Sequence, residues 1–155
     1  MYRGHPNPYV RAQPDLPWPP SADDPRSRAI PKKIWPLAAI HAIAQAQLEQ
    51  AEGSLILPIT DKCTEDIQKL ELTTLDLAER LLRLSDALYD KSMWCQGSRR
   101  EGVKAPDEAL WFPCDAYLLR MQELLSANRE VAVEYYLKLC LSPANKVVLL
   151  VSVHL

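Results

Sequence analysis

Apolar and polar residues alternate with a period of two near the end of the chain. Val131, Val133, Tyr135, Leu137, Leu139 and Leu141 interleave with Ala132, Glu134, Tyr136, Lys138, Cys140 and Ser142. Successive side chains of a strand point to opposite faces, so this run predicts a strand with one buried face. Pro143-Ala144-Asn145 is turn chemistry. Val147–His154 is β-branched and apolar until Ser152 and His154, and predicts a second strand closing an antiparallel hairpin. In the register opposing residue 136 to 154, 138 to 152 and 142 to 148, Tyr136, Lys138, Ser152 and His154 share one face. Tyr135, Leu137, Leu139, Leu149, Val151 and Val153 then form the other face, a core. A slip of one residue destroys that segregation.

Upstream the period changes to that of a helix. Leu37, Ile40, Ala44, Leu48 and Ala51 follow Pro36, a residue suited to a first helical turn, and Gly53 is a C-terminal stop. His41 lies beside this stripe and reads as a packed or surface histidine. Ser54–Ile59 is a short apolar strand. Thr60 or Asp61 then caps a helix carrying Cys63, Ile67 and Leu70. Thr73-Thr74-Leu75-Asp76 has the form of a second cap, followed by a stripe of Leu77, Ala78, Leu81, Leu82 and Leu88. Glu79, Arg80 and Arg83 read as its solvated face.

Tyr89–Trp94 predicts a strand, and Gln96–Pro106 an exposed loop with Arg99, Arg100 and Lys104. Trp111–Met121 is β-prone, with Pro113 suggesting an edge or a bulge. Leu124–Asn128 reads as a turn or short helix. The fold class is α+β. Residues 36–155 form one domain, preceded by an arm over residues 1–35 that holds eight of the 13 prolines, with Trp18 and Trp35. Proline fixes φ and removes donors, so the arm is expected to be extended. It is either a tail or a segment that docks its tryptophans on the body.

A chain of 155 residues that is 48% hydrophobic is globular. Its net charge of −2 excludes a generally basic nucleic-acid binder, so any RNA contact must come from a local patch. Cys63, Cys95, Cys114 and Cys140 form no C-x-x-C pair, which argues against zinc and for reduced thiols in the cytoplasm. A Cys95–Cys114 bridge stays open. No apolar run reaches the roughly 18 residues of a membrane span.

Several short stretches occur in a telling order: Ile59-Thr60, Thr64–Leu70, Leu75–Leu84, Ser85–Met93 (SDALYDKSM), Trp111, Tyr135-Tyr136-Leu137-Lys138 and Val151-Ser152-Val153-His154. Their order over residues 55–155 resembles the MqsR (motility quorum-sensing regulator) family of bacterial mRNA interferase toxins. The arm, the first helix and the Gln96–Glu108 loop are additions to that pattern. The resemblance implies a RelE-like fold, an antiparallel twisted sheet packed with two or three helices and closed by a C-terminal hairpin. It implies a metal- and cofactor-independent endoribonuclease that acts through the ribose 2′-hydroxyl, a cognate antitoxin protein and single-stranded mRNA as partners, and no membrane. The family's lysine after the second helix falls on Lys91, its tyrosine on Tyr136, with Tyr135 competing, and its last lysine on His154. These are the expected catalytic residues. Arg99, Arg100, Lys104, Lys138 and Arg120 are the expected RNA contacts. The family's glutamine is replaced by Phe112, leaving Gln96 or Gln122 as substitutes. The alternative is a toxin-like module that has lost catalysis and serves as a binding or regulatory partner.

Overall fold

The computed structural model describes residues 7–18, 28–50, 53–97, 111–125 and 129–154. The chain is α+β. Its helices are α1 (Pro8–Ala12), α2 (Leu37–Glu49), α3 (Asp61–Lys69) and α4 (Thr74–Leu82). Its strands are β1 (Ala29–Ile30), β2 (Ile56–Pro58), β3 (Tyr89–Gln96), β4 (Trp111–Leu125), β5 (Arg129–Leu141) and β6 (Val148–His154). They form one sheet in the order β1-β3-β4-β5-β6-β2. The sheet is mixed, which corrects the expectation of a purely antiparallel one. Ile56–Pro58 pair with Val148–Leu150 in parallel. Helices and three strands separate β2 from β6, and a connection of that length lets two strands run the same way.

The predicted caps set the helix starts. Thr60 Oγ1 accepts from Cys63 N at 3.0 Å and donates to Val151 O at 2.8 Å, so one hydroxyl both starts α3 and fastens it to β6. Thr73 and Asp76 form a reciprocal capping box at α4. At the end of α2 the buried Gln47 bonds Gly53 O and Leu55 N, carrying the chain into β2 through the left-handed Gly53 at φ 84°.

Helices α2 and α4 pack together, and their apolar stripes meet the sheet through Ile40, Ile43, Leu77 and Leu81. The same core takes Tyr117, Tyr135, Leu137, Leu139, Val148, Leu150 and Val153 from the strands. The inward set on β6 differs from expectation. The register 136–154 and 138–152 is as predicted, but Leu139 then opposes Leu150 and Leu141 opposes Val148. Val151 is an extra residue in β6, and such a bulge reverses strand parity. Val148 and Leu150 therefore fill the core, while Leu149 and Val151 are only half-buried.

Residues 7–18 and 28–35 are not an extended tail. Asn7 and Pro8 start α1, with the Asn7 side chain accepting from Tyr9 N at 2.9 Å. Tyr9 Oη donates to Leu141 O at 2.9 Å, Asn7 Nδ2 to Trp111 O at 3.0 Å and Trp35 Nε1 to Pro113 O at 2.8 Å. Tyr9, Val10, Leu16 and Trp35 are buried, whereas Trp18 is 52% exposed. Asp115, buried in β4, accepts from Trp35 N at 2.8 Å, from Ile34 N and from Ser92 Oγ. Burial raises its carboxyl pKa despite those donors. Pro113 lies beyond Asp115–Leu139, where the β4–β5 ladder stops, so its missing N–H breaks no bond to β5. Residues 124 and 125 continue β4 rather than turning, and residues 126–128 lie outside the described set.

Arg80 also departs from expectation. It is 5% exposed, pairs with Glu123, donates to Asp76 O and stacks 5.2 Å from the centroid of the Tyr135 ring. The helical period placed it off the apolar stripe, but the β4–β5 hairpin covers that side of α4.

Candidate functional site

The sheet face opposite α2 and α4 carries Lys91, Tyr136 and Lys138. Strand pairing places Lys91 beside Ala116, Ala116 beside Lys138 and Lys138 beside Ser152, one row across four strands. Cross-strand partners share a face, and Tyr136 lies two residues from Lys138, so it shares that face too. His154 is the Cα partner of Tyr136; its side chain lies outside the described structure.

Two sequence details shape this row. Ala116 is small, so little side chain fills the space between the two lysines. A bulge between Tyr89 and Lys91 sets Asp90 and Lys91 together against Ala116. Such a bulge re-aims a side chain. It turns Asp90 onto Tyr136, whose Oη donates to Asp90 Oδ2 at 3.0 Å.

The result is a trough of about 460 Å³ whose lining includes Arg28, Lys91, Met93, Cys95, Gln96 and Lys138. That volume is in the range of small-ligand sites. Lys138 Nζ sits 5.4 Å from the centroid of the Tyr136 ring. Among the described residues neither Lys91 nor Lys138 has a carboxylate partner within salt-bridge distance. A chain of net charge −2 thus gathers three cations at one concavity.

Burial, and then the bond to and charge of Asp90, push the Tyr136 phenol up to about 12. It is a neutral hydrogen-bond donor at physiological pH, not a base. The Cys95 thiol moves down. A hydrogen bond from Cys114 is the main cause, the charges of Lys138 and Arg28 add to it, and burial opposes it. Cys114 is pushed well above the ordinary thiol range, chiefly by burial. All four cysteines are free, so the possible Cys95–Cys114 bridge is not formed. Among the described residues no group of three or more histidines, cysteines and carboxylates is placed to hold a metal.

Of the expected residues, the fold brings Lys91, Tyr136 and Lys138 together, with the backbone of His154 alongside. Arg120 is separate, on the outer part of the hairpin, where its Nε bonds Glu134 Oε2 at 2.6 Å. Arg99, Arg100 and Lys104 lie outside the described residues. Phe112 packs edge-on against Tyr9 at 6.0 Å, and a Cβ at Gly97 would come 2.7 Å from its ring. Gln96 lines the trough, whereas Gln122 lies on the hairpin opposite Ala132. Tyr135 is buried on the core face and bonds Glu123. His41 contacts Leu84 O at 3.0 Å, a packing role.

Sequence reasoning missed Asp90, Cys95 and Arg28. Asp90 needed the bulge, which no residue pattern announces. Cys95 belongs to no motif, and Arg28 lies in the proline-rich arm.

Comparison of the chain with protein-family models, with curated proteins and with solved structures gives no match. Among the described residues no helix is long and apolar enough to cross a membrane.

Proposed function

We propose that this chain is a metal-independent endoribonuclease of the mRNA interferase kind, with a RelE-like arrangement of sheet and helices. The carrying observation is that Lys91 and Lys138 line one trough on an open sheet face, with the Tyr136 ring on the same face 5.4 Å from Lys138 Nζ. A ribose 2′-hydroxyl attacks the adjacent phosphorus, and the bond from phosphorus to the 5′-oxygen breaks. Lys91 and Lys138 stabilise the added negative charge on the phosphoryl oxygens. The Tyr136 hydroxyl, which donates to Asp90 in the free chain, turns that hydrogen to the departing 5′-oxygen and gives up the proton to it. His154, opposite Tyr136 in the register, takes the 2′ proton, a role open to an imidazole. In this reading the substrate is single-stranded mRNA, and a cognate antitoxin protein holds the enzyme inactive.

Cleavage of a defined single-stranded RNA by the purified protein tests the assignment. Lys91→Ala is expected to lower kcat about a hundredfold. Tyr136→Phe is expected to lower it more than about tenfold. An RNA with a 2′-O-methyl group at the cut site stays intact. Undiminished cleavage by both variants removes the site.

One observation favours a second reading. The family's glutamine position is Phe112, whose ring is committed to packing on Tyr9. A chain lacking that group serves as an RNA-binding or regulatory module, and then binds the RNA without cutting it.

A further inference from the structure

The N-terminal segment reaches the trough. Ala29 and Ile30 pair with Met93 and Ser92, so β1 is an added edge strand beside β3. This pairing holds Arg28 next to the Trp94–Gln96 end of β3, in the trough lining with Lys91 and Lys138. The guanidinium carbon lies 5.1 Å from the centroid of the Trp111 ring. Stacking on an indole fixes the plane of the fork and leaves its edges for a planar or tetrahedral anion.

One donor of a trough-lining side chain, Arg28 Nε, is buried without a hydrogen-bond partner among the described residues. A buried donor without an acceptor is costly, and a bound anion supplies one. After the hydrogen bond from Cys114, the charges of Lys138 and Arg28 both draw the Cys95 thiol down, and all three residues line the trough. The two cations therefore act on one point in the trough wall.

We infer that Arg28 is the third arm of a phosphodiester-binding cradle with Lys91 and Lys138, so that the N-terminal segment is part of the nucleic-acid site. The occupant is the backbone of a single strand. Bases on a single strand are free to turn away, and a trough of about 460 Å³ takes about one nucleotide unit. The choice of RNA as occupant rests on the ribonuclease reading. Arg28 lies outside the stretch that carries the toxin resemblance, so the inference does not come from it.

The test is binding of a fluorescent RNA ten-mer, wholly 2′-O-methylated so that it cannot be cut. Anisotropy is read over a series of salt concentrations. Arg28→Ala should weaken binding about tenfold at low salt. It should also lower the slope of log affinity against log salt by about 0.7, the share of one phosphate contact on a single strand. Lys91→Ala and Lys138→Ala should each lower the slope similarly. Arg28→Lys, which keeps the charge, should restore the slope. Arg28→Gln keeps more of the side-chain shape and is read the same way if the alanine variant does not fold.

Unchanged affinity and slope in Arg28→Ala overturn the inference, and so does a wild type that does not bind the RNA. Equal displacement by polyglutamate at matched charge also overturns it, and makes the occupant an acidic protein segment. Binding with the predicted slopes, but no cutting of the unmodified RNA, leaves the cradle standing and removes only the nuclease.

Discussion

Tyr136 and Asp90 set the chemistry at the residue scale. The phenol is pushed up to about 12 by burial and by the neighbouring carboxylate. A folded pKa above the unfolded value near 10 means that the proton is held more tightly in the native state. That contribution to stability is full below about pH 10 and is lost as pH rises through about 12. Removing the charge of Asp90 removes its electrostatic push on the phenol, while burial, the largest cause, stays. Asp90→Asn should therefore bring the Tyr136 titration down towards 10, followed by its ring-carbon NMR resonance, assigned with Tyr136→Phe. An unmoved titration midpoint would mean that burial alone raises it. Tyr136 and Lys138 were legible in the sequence because strand parity fixes their face, whereas Lys91 came only from the family resemblance. Asp90 was not, because a bulge puts two neighbours on one side where alternation separates them.

At the scale of elements, the same irregularity recurs in β6. The terminal hairpin was readable to the register of its outer half, where Tyr136 meets His154. Its inner half shifts by one at Val151, and the predicted core residues Leu149 and Val151 yield to Val148 and Leu150. The β4–β5 hairpin raises a different problem. β3 pairs with β4 only to Tyr117 and β6 pairs with β5 only to Tyr136, so residues 118–125 and 129–135 run on as a two-stranded ribbon. A ribbon of two strands is marginal by itself. It is anchored where the buried Arg80 of α4 meets Glu123, which also accepts from Tyr135 Oη at 2.9 Å. Glu123→Ala leaves a guanidinium buried without its partner, and should cost about 3 kcal/mol in urea unfolding. Arg80→Met with Glu123→Leu should recover most of it, because the pair then becomes apolar. A loss under about 0.5 kcal/mol in the single variant would show that water replaces the carboxylate. The helical period could not reveal this pair, because the covering hairpin lies more than 40 residues away in sequence.

Over the whole molecule, helices cover one face of the sheet, and the N-terminal segment covers part of the other. The α+β class and the helix caps were readable because they depend on local pattern. The docking of residues 7–18 was not, because proline content argues for extended chain while Tyr9, Val10 and Leu16 find their core only in the folded body. Among the described residues the cationic trough lies open on that face, and in the proposed reading it is where an acidic chain takes a polyanion. The decisive measurement is the chemistry of the cut ends. Purified protein is incubated with a defined single-stranded RNA in excess chelator, and both new termini are mapped. Fragments ending in 2′,3′-cyclic phosphate and beginning with 5′-hydroxyl are the predicted result. Intact RNA, or fragments ending in 3′-hydroxyl, would contradict attack by the ribose hydroxyl and with it the assigned roles of Lys91, Tyr136 and His154.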